Sequence, residues 1–154
     1  RPSHALEALT VVQERVKTVK YPMFLFPEGT TTNGAYVKPF KSTLFNFVEN
    51  SDVAVQPMAV HYRFRDGTPI SDADLANHYA YFDNKKIDMG PRAARERSAF
   101  MQVFHVMILG GFRVEITVMP PPPLAGQDRK QIAETLHQMV SDKYMELKDK
   151  KTEK

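Results

Sequence analysis

Hydrophobic positions along this chain follow two rhythms. Leu6, Leu9, Val12, Val16 and Val19 recur every three to four residues behind Ser3, a capping residue type, and predict a first helix. Met23-Phe24-Leu25-Phe26 predicts a short buried strand, stopped by Pro27 and Gly29, with a turn at Asn33-Gly34. A short helix is predicted from about Ser42 to Glu49, burying Leu44, Phe45 and Val48. Val53 to Val60 reads as the next apolar strand. Pro57 within it has no N–H to donate, so an edge, a bulge or a strand end is expected there.

Arg65-Asp66-Gly67-Thr68-Pro69 is a turn, and the stretch from there to about Pro91 has no clear period. From Arg92 to Leu109 a helix is predicted, with Phe100, Val103, Phe104, Met107 and Ile108 on one face and Gly110-Gly111 ending it. Phe112, Val114, Ile116 and Val118 then alternate with Arg113, Glu115 and Thr117, the pattern of a half-buried strand, and Pro120 to Pro123 stop it. Asp128 with Gln131 forms a capping box for a last helix carrying Ile132, Leu136, Met139, Val140, Tyr144 and Leu147. Helices and strands therefore alternate, which predicts an α/β fold, a mixed sheet flanked by helices. One domain is expected over residues 1–147, truncated at its N-terminus, followed by a solvated tail from Lys148 to Lys154.

With 154 residues, 42% hydrophobic and 25% charged, the chain suits one folded domain and not a disordered one. The absence of cysteine removes disulfides, thiolate nucleophiles and cysteine-based zinc sites together. A formal charge of +3 fits anionic surfaces without requiring them. No apolar run approaches the roughly 18 residues that cross a bilayer. Arg1 is no initiator methionine and no apolar signal core follows it, so the chain reads as part of something longer.

Candidate chemistry concentrates in Phe26-Pro27-Glu28-Gly29-Thr30-Thr31-Thr32-Asn33-Gly34 and in Lys38-Pro39-Phe40-Lys41-Ser42. A strand ending at Pro27 would bring Glu28 out at its carboxyl end, where ligands collect in open α/β sheets. Gly29 allows a close approach to the backbone, and the threonines add hydrogen-bonding groups. Lys41 at the start of a helix would join helix N–H groups in a phosphate pocket. A strand, a polar turn and a solvated lysine account for the same residues equally well.

Phe26-Pro27-Glu28-Gly29-Thr30 resembles the Phe-Pro-Glu-Gly-Thr block of the glycerolipid acyltransferases, the lysophospholipid acyltransferase superfamily. Pro39-Phe40-Lys41-Ser42 resembles the phenylalanine–lysine pair that follows it in that family, and Val55-Gln56-Pro57-Met58-Ala59-Val60 the next block, a hydrophobic strand bearing a proline. Three blocks in order make the match specific. It is strong over residues 22–62 and looser beyond, where the strand, proline and helix ending from Phe112 onward is also similar. The Thr-Thr-Asn-Gly stretch and the Phe-Lys-Ser-x-Leu-Phe run look most like bacterial lyso-ornithine-lipid and 1-acylglycerol-3-phosphate acyltransferases, and lysophosphatidylcholine acyltransferases share a similar threonine-asparagine version.

The chain departs from the family pattern twice. Many members that use lysophosphatidic acid carry arginine where this chain has Thr31, and threonine does not replace a guanidinium fork, although Lys38 and Lys41 supply positive charge. The family's catalytic block, Asn-His followed by four residues and Asp, belongs several tens of residues before this point, yet only 25 residues precede Phe26. The catalytic histidine is therefore expected upstream of Arg1. Asn77-His78-Tyr79-Ala80-Tyr81-Phe82-Asp83 matches the pattern letter for letter, but on the wrong side of the Glu28 block. His78 and Asp83 are thus the alternative base pair, and otherwise an ordinary histidine near a strand with a chance aspartate.

His61 is read as ending an apolar strand and partnered locally, and His105 and His137 as helix residues. No histidine has metal-ligand company, so no metal is expected. Arg92, Arg95 and Arg97 running into Phe100 to Leu109 resemble a membrane-surface helix as well as a packed one. Aromatic and basic residues do not interleave as in a nucleic-acid platform.

The resemblance implies transfer of an acyl group from an acyl thioester, acyl-CoA or acyl carrier protein, to a hydroxyl of a lysolipid. It implies no cofactor and a membrane-associated protein at the cytoplasmic face. This chain would supply the acceptor-binding half, with Phe26, Pro27, Glu28, Gly29, Thr30 and Thr31 shaping the pocket and Lys41 holding an anionic head. Without its base the isolated chain is expected to be inactive. The alternative is a non-catalytic module that binds lipid head groups or a membrane surface.

Overall fold

Two strands and one long helix organise the described part of the chain, which in the computed structural model comprises residues 11, 14, 15, 18, 22–29, 34–49, 51–71 and 111–150. Strand β1 spans Met58–Phe64 and strand β2 spans Phe112–Val118. They pair antiparallel, with Ala59 opposite Thr117, His61 opposite Glu115 and Arg63 opposite Arg113. Pro57 marks a strand end, one of the outcomes its missing N–H allows, but the strand is not the expected Val53 to Val60. Val53 to Pro57 lie outside the ladder and the strand runs on to Phe64. The Pro57 carbonyl still accepts a 3.0 Å bond from the Met119 N–H. After Phe64 the predicted turn closes through Phe64 N–H to Thr68 O, with the Asp66 carboxylate accepting from the Thr68 amide and hydroxyl.

Helix α1 spans Arg129–Asp149. Its N-terminus carries the capping box read from the sequence. Asp128 accepts from the amides of Lys130 and Gln131 at 2.7 and 2.9 Å, and the Gln131 side chain accepts from the Asp128 amide. The helix continues through Lys148 and Asp149, the first residues of the expected tail, and Lys150 closes it by donating to Glu146 O.

The helix buries two apolar clusters. Ile132, Ala133 and Leu136 pack with Phe45 and Val48, and Leu25 and Phe40 lie at the margin. Ala59, Met119 and Leu147 form the second, with Met139 and Val140 beside them. Full burial of a side chain such as Ile132 stabilises by roughly 1.5–3 kcal/mol.

Four expectations change. The predicted helix from Ser42 to Glu49 is a four-residue 3-10 turn, Ser42–Phe45, followed by further turns to Glu49. A single turn has little macrodipole, so the helix-end anion pocket expected at Lys41 loses its main driving force. Residues 23–26 are not a buried strand: Phe24 is 68% and Phe26 79% exposed. Only the Leu25 side of this segment meets the core, whereas a fully buried strand needs cover on both faces. His61 is a buried mid-strand residue rather than a strand end with a local partner, and its Nδ1 makes no hydrogen bond.

The fourth change is which side of β2 is covered. Because strand residues alternate sides, the register places Ala59, His61 and Arg63 together facing α1. The apolar residues of β2 point the other way, and Ile116 is 60% exposed. Ala59, with no exposed surface, lets the helix approach this side closely.

The described sheet is antiparallel and agrees with an α/β fold; no parallel pair occurs among the described residues. Val11, Glu14, Arg15 and Thr18 are helical and exposed; the other residues of the predicted first helix lie outside the described ones. The predicted helix from Arg92 to Leu109 lies outside the described residues.

Candidate functional site

The residues of the two sequence blocks meet in space. Pro27 and Glu28 form a turn in which the Gly29 amide donates to Phe26 O at 3.1 Å, and Gly29 adopts φ +64°. The Lys41 amide donates to Pro27 O at 3.0 Å, which brings the second block alongside the first. Ten residues beyond Glu28, the Lys38 amide donates to Glu28 Oε2 at 2.9 Å. The glutamate thus ties down the far side of the loop that leads to Lys41.

Lys41 lies over Gly29. A Cβ at position 29 would stand 2.7 Å from Lys41 Cε and closer still to its ammonium. Glycine is required here both for the left-handed backbone and for this contact. Phe40 anchors the lysine from behind, its ring stacked on Phe45 at 6.3 Å and edge-on to His137 at 5.4 Å. Among the described residues no ion pair engages the Lys41 ammonium. The result is an exposed cation beside a half-buried carboxylate, across a bare stretch of backbone.

Of the predicted site residues, Pro27, Glu28, Gly29 and Lys41 are brought together. Phe26 begins the turn but its side chain is exposed. Thr30, Thr31, His78 and Asp83 lie outside the described residues. No group of histidine, aspartate or glutamate among the described residues could hold a metal ion.

The sequence reading missed a buried polar cluster between the sheet and α1. Arg63 Nε donates to Glu115 Oε2 at 3.0 Å, and its Nη2 donates to Leu147 O and Lys150 O at 3.2 and 3.1 Å. The guanidinium therefore neutralises the carbonyl end of α1. His61 lies beside it, 4.0 Å from Glu115 and edge-on to Tyr144. Burial, and then the Arg63 and Lys148 charges, hold the His61 pKa below its ordinary 6.5 against the opposing pull of Glu115. Alternation in β1 could have shown that His61 and Arg63 share a face, but not that a helix end meets them.

Comparison with known proteins shows which family the chain resembles. A family model described as Acyltransferase matches residues 1–61, the part that holds both blocks. The lyso-ornithine lipid O-acyltransferase of Pseudomonas aeruginosa is 33% identical over 124 residues, 77% of this chain and 38% of that protein. The chain belongs to the glycerolipid acyltransferase superfamily. A second glycerolipid acyltransferase, the lyso-ornithine lipid O-acyltransferase of Rhodobacter capsulatus, is 34% identical over 70 residues, 43% of this chain and 25% of that protein. The chain thus spans well under half the length of the curated relatives it matches. No solved structure matches it significantly. No helix among the described residues is long and apolar enough to cross a membrane.

Proposed function

We propose that the protein carrying this chain moves an acyl group from an acyl thioester, acyl-CoA or acyl carrier protein, to a free hydroxyl of a lysolipid at a membrane surface, and that this chain supplies the acceptor-binding half within a mixed-sheet α/β domain. In this reading a histidine–aspartate pair takes the hydroxyl proton. The freed oxygen attacks the thioester carbonyl, and the tetrahedral intermediate collapses by breaking the C–S bond, with the thiolate leaving. Pro27, Glu28, Gly29 and the adjoining Thr30 and Thr31 shape the pocket for the lipid head, and Lys41 meets its anionic group.

The observation that carries the reading is Lys41 lying over Gly29 beside Glu28, within the blocks that define the family. The acceptor we favour is a lyso-ornithine lipid. Both relatives bear that name, and an ornithine head group offers a carboxylate to Lys41 and an ammonium to Glu28. Thr31 in place of an arginine fork also suits an acceptor without a phosphomonoester.

The test is product formation by the full-length protein. Lyso-ornithine lipid and lysophosphatidic acid are offered separately in vesicles, each with acyl-CoA or acyl carrier protein, and products are weighed by mass spectrometry. An O-acylated ornithine lipid is the expected product. Vesicle binding with no acylated product from either acceptor would overturn the enzyme reading and leave a lipid-binding module.

A further inference from the structure

One stripe of α1 faces the loop between the two site blocks. His137, Tyr144 and Lys148 are seven and eleven residues apart, close to two and three full turns at roughly 3.6 residues each, so they share one line along the helix. All three reach main-chain carbonyls of residues 34–37. The Tyr144 hydroxyl donates to Gly34 O at 2.7 Å. The Lys148 ammonium bridges Gly34 O and Ala35 O at 3.3 and 3.2 Å. His137 Nε2 lies 3.0 Å from Val37 O, where it acts as the donor, since a carbonyl only accepts.

The next residue of that loop is Lys38, whose amide holds Glu28, and three residues later comes Lys41 over Gly29. A loop of this kind has no ladder of its own to fix it, so its carbonyls must find donors elsewhere. Here a single rigid element supplies them.

We infer that His137, Tyr144 and Lys148 are positioning residues for acceptor binding: by clamping the carbonyls of residues 34–37 they fix the Lys38 amide, and through it the placement of Glu28 and Lys41. The inference rests on the acceptor-site reading given above. None of the three touches the acceptor. Their contribution reaches it through the loop, so it depends on Lys41 and Glu28 being present.

The test measures KM for the lysolipid and for the acyl thioester, and kcat, in the full-length protein with Tyr144→Phe and, independently, Lys148→Met. Each variant removes donors to the loop while keeping most of the packing. Tyr144→Phe raises the acceptor KM about fivefold, the worth of one net hydrogen bond. Thioester KM and kcat stay at wild-type values. In a background carrying both Lys41→Ala and Glu28→Gln the same substitution adds no further rise, because the groups it positions are gone. A fall in kcat with both KM values moved alike, or a lowered melting temperature with acceptor KM unchanged, would overturn the inference. So would full additivity with the double variant. If Lys41→Ala alone raises acceptor KM and Tyr144→Phe does not, the acceptor site stands and the clamp falls; if Lys41→Ala has no effect, the acceptor site itself is wrong.

Discussion

The Lys41 side chain occupies the space over Gly29 in which any other residue would carry its Cβ. This makes the glycine part of the cation's placement as well as of the turn. Gly29→Ala therefore has two effects: strain from a left-handed backbone, about 1–2 kcal/mol, and displacement of the ammonium. Gly126→Ala is the control, since Gly126 also has positive φ but nothing within 4 Å of an added Cβ. Both variants lose comparable stability in urea unfolding. Only Gly29→Ala raises the acceptor KM.

Arg63 joins β1, β2 and the end of α1 through three hydrogen bonds. Arg63→Met leaves the carbonyls of Leu147 and Lys150 without these donors and is expected to cost roughly 2–4 kcal/mol in urea unfolding. Glu115→Gln removes a partner that is a third exposed, so the loss is smaller, about 1 kcal/mol or less.

His61 gives stability a pH dependence of known sign. Its folded pKa is below the unfolded 6.5, so the unfolded chain binds more protons in the window between them. Stability from this group is full above about pH 6.5 and is lost as pH falls through the folded value. The groups facing it are Arg63 on its own strand, Glu115 on β2, and Tyr144 and Lys148 on α1. Denaturation midpoints followed from about pH 7.5 to 5.5 should fall in the wild type and fall less in His61→Gln.

How far the sequence carried this account differs from element to element. The capping box at Asp128 and Gln131 and the strand at Phe112 were legible because each rests on local chemistry or local period. The covered side of β2 was not. Alternation shows that Val114 and Ile116 share a side, but only the register with β1 and the position of α1 decide that the His61 and Arg63 side is the one packed. Met23 to Phe26 misled for the same reason, since an apolar run does not reveal that only Leu25 meets the core. At the site, Glu28, Gly29 and Lys41 were legible as residue types. The Lys38 amide and the clamp from α1 were not, because main-chain partners leave no trace in side-chain identity.

The Asp128 cap offers a local test. The Gln131 and Lys130 amides hold its carboxyl below the ordinary carboxylate range, so the cap is lost as pH falls through that lowered value. Asp128→Ala should speed hydrogen exchange in the first turn of α1 at neutral pH, chiefly at Lys130 and Gln131. The difference from wild type should vanish as pH falls through that lowered value, where the wild-type carboxyl is itself protonated.

The central claim is that Glu28 and Lys41 belong to the acceptor site of an acyltransferase. Steady-state kinetics of the full-length protein with Lys41→Ala and Glu28→Gln, varying lysolipid and thioester separately, test it most directly. The account predicts an acceptor KM raised about tenfold or more in both variants, as expected for loss of a charged hydrogen bond, with the thioester KM unchanged. Acceptor KM and turnover indistinguishable from wild type in both would contradict it.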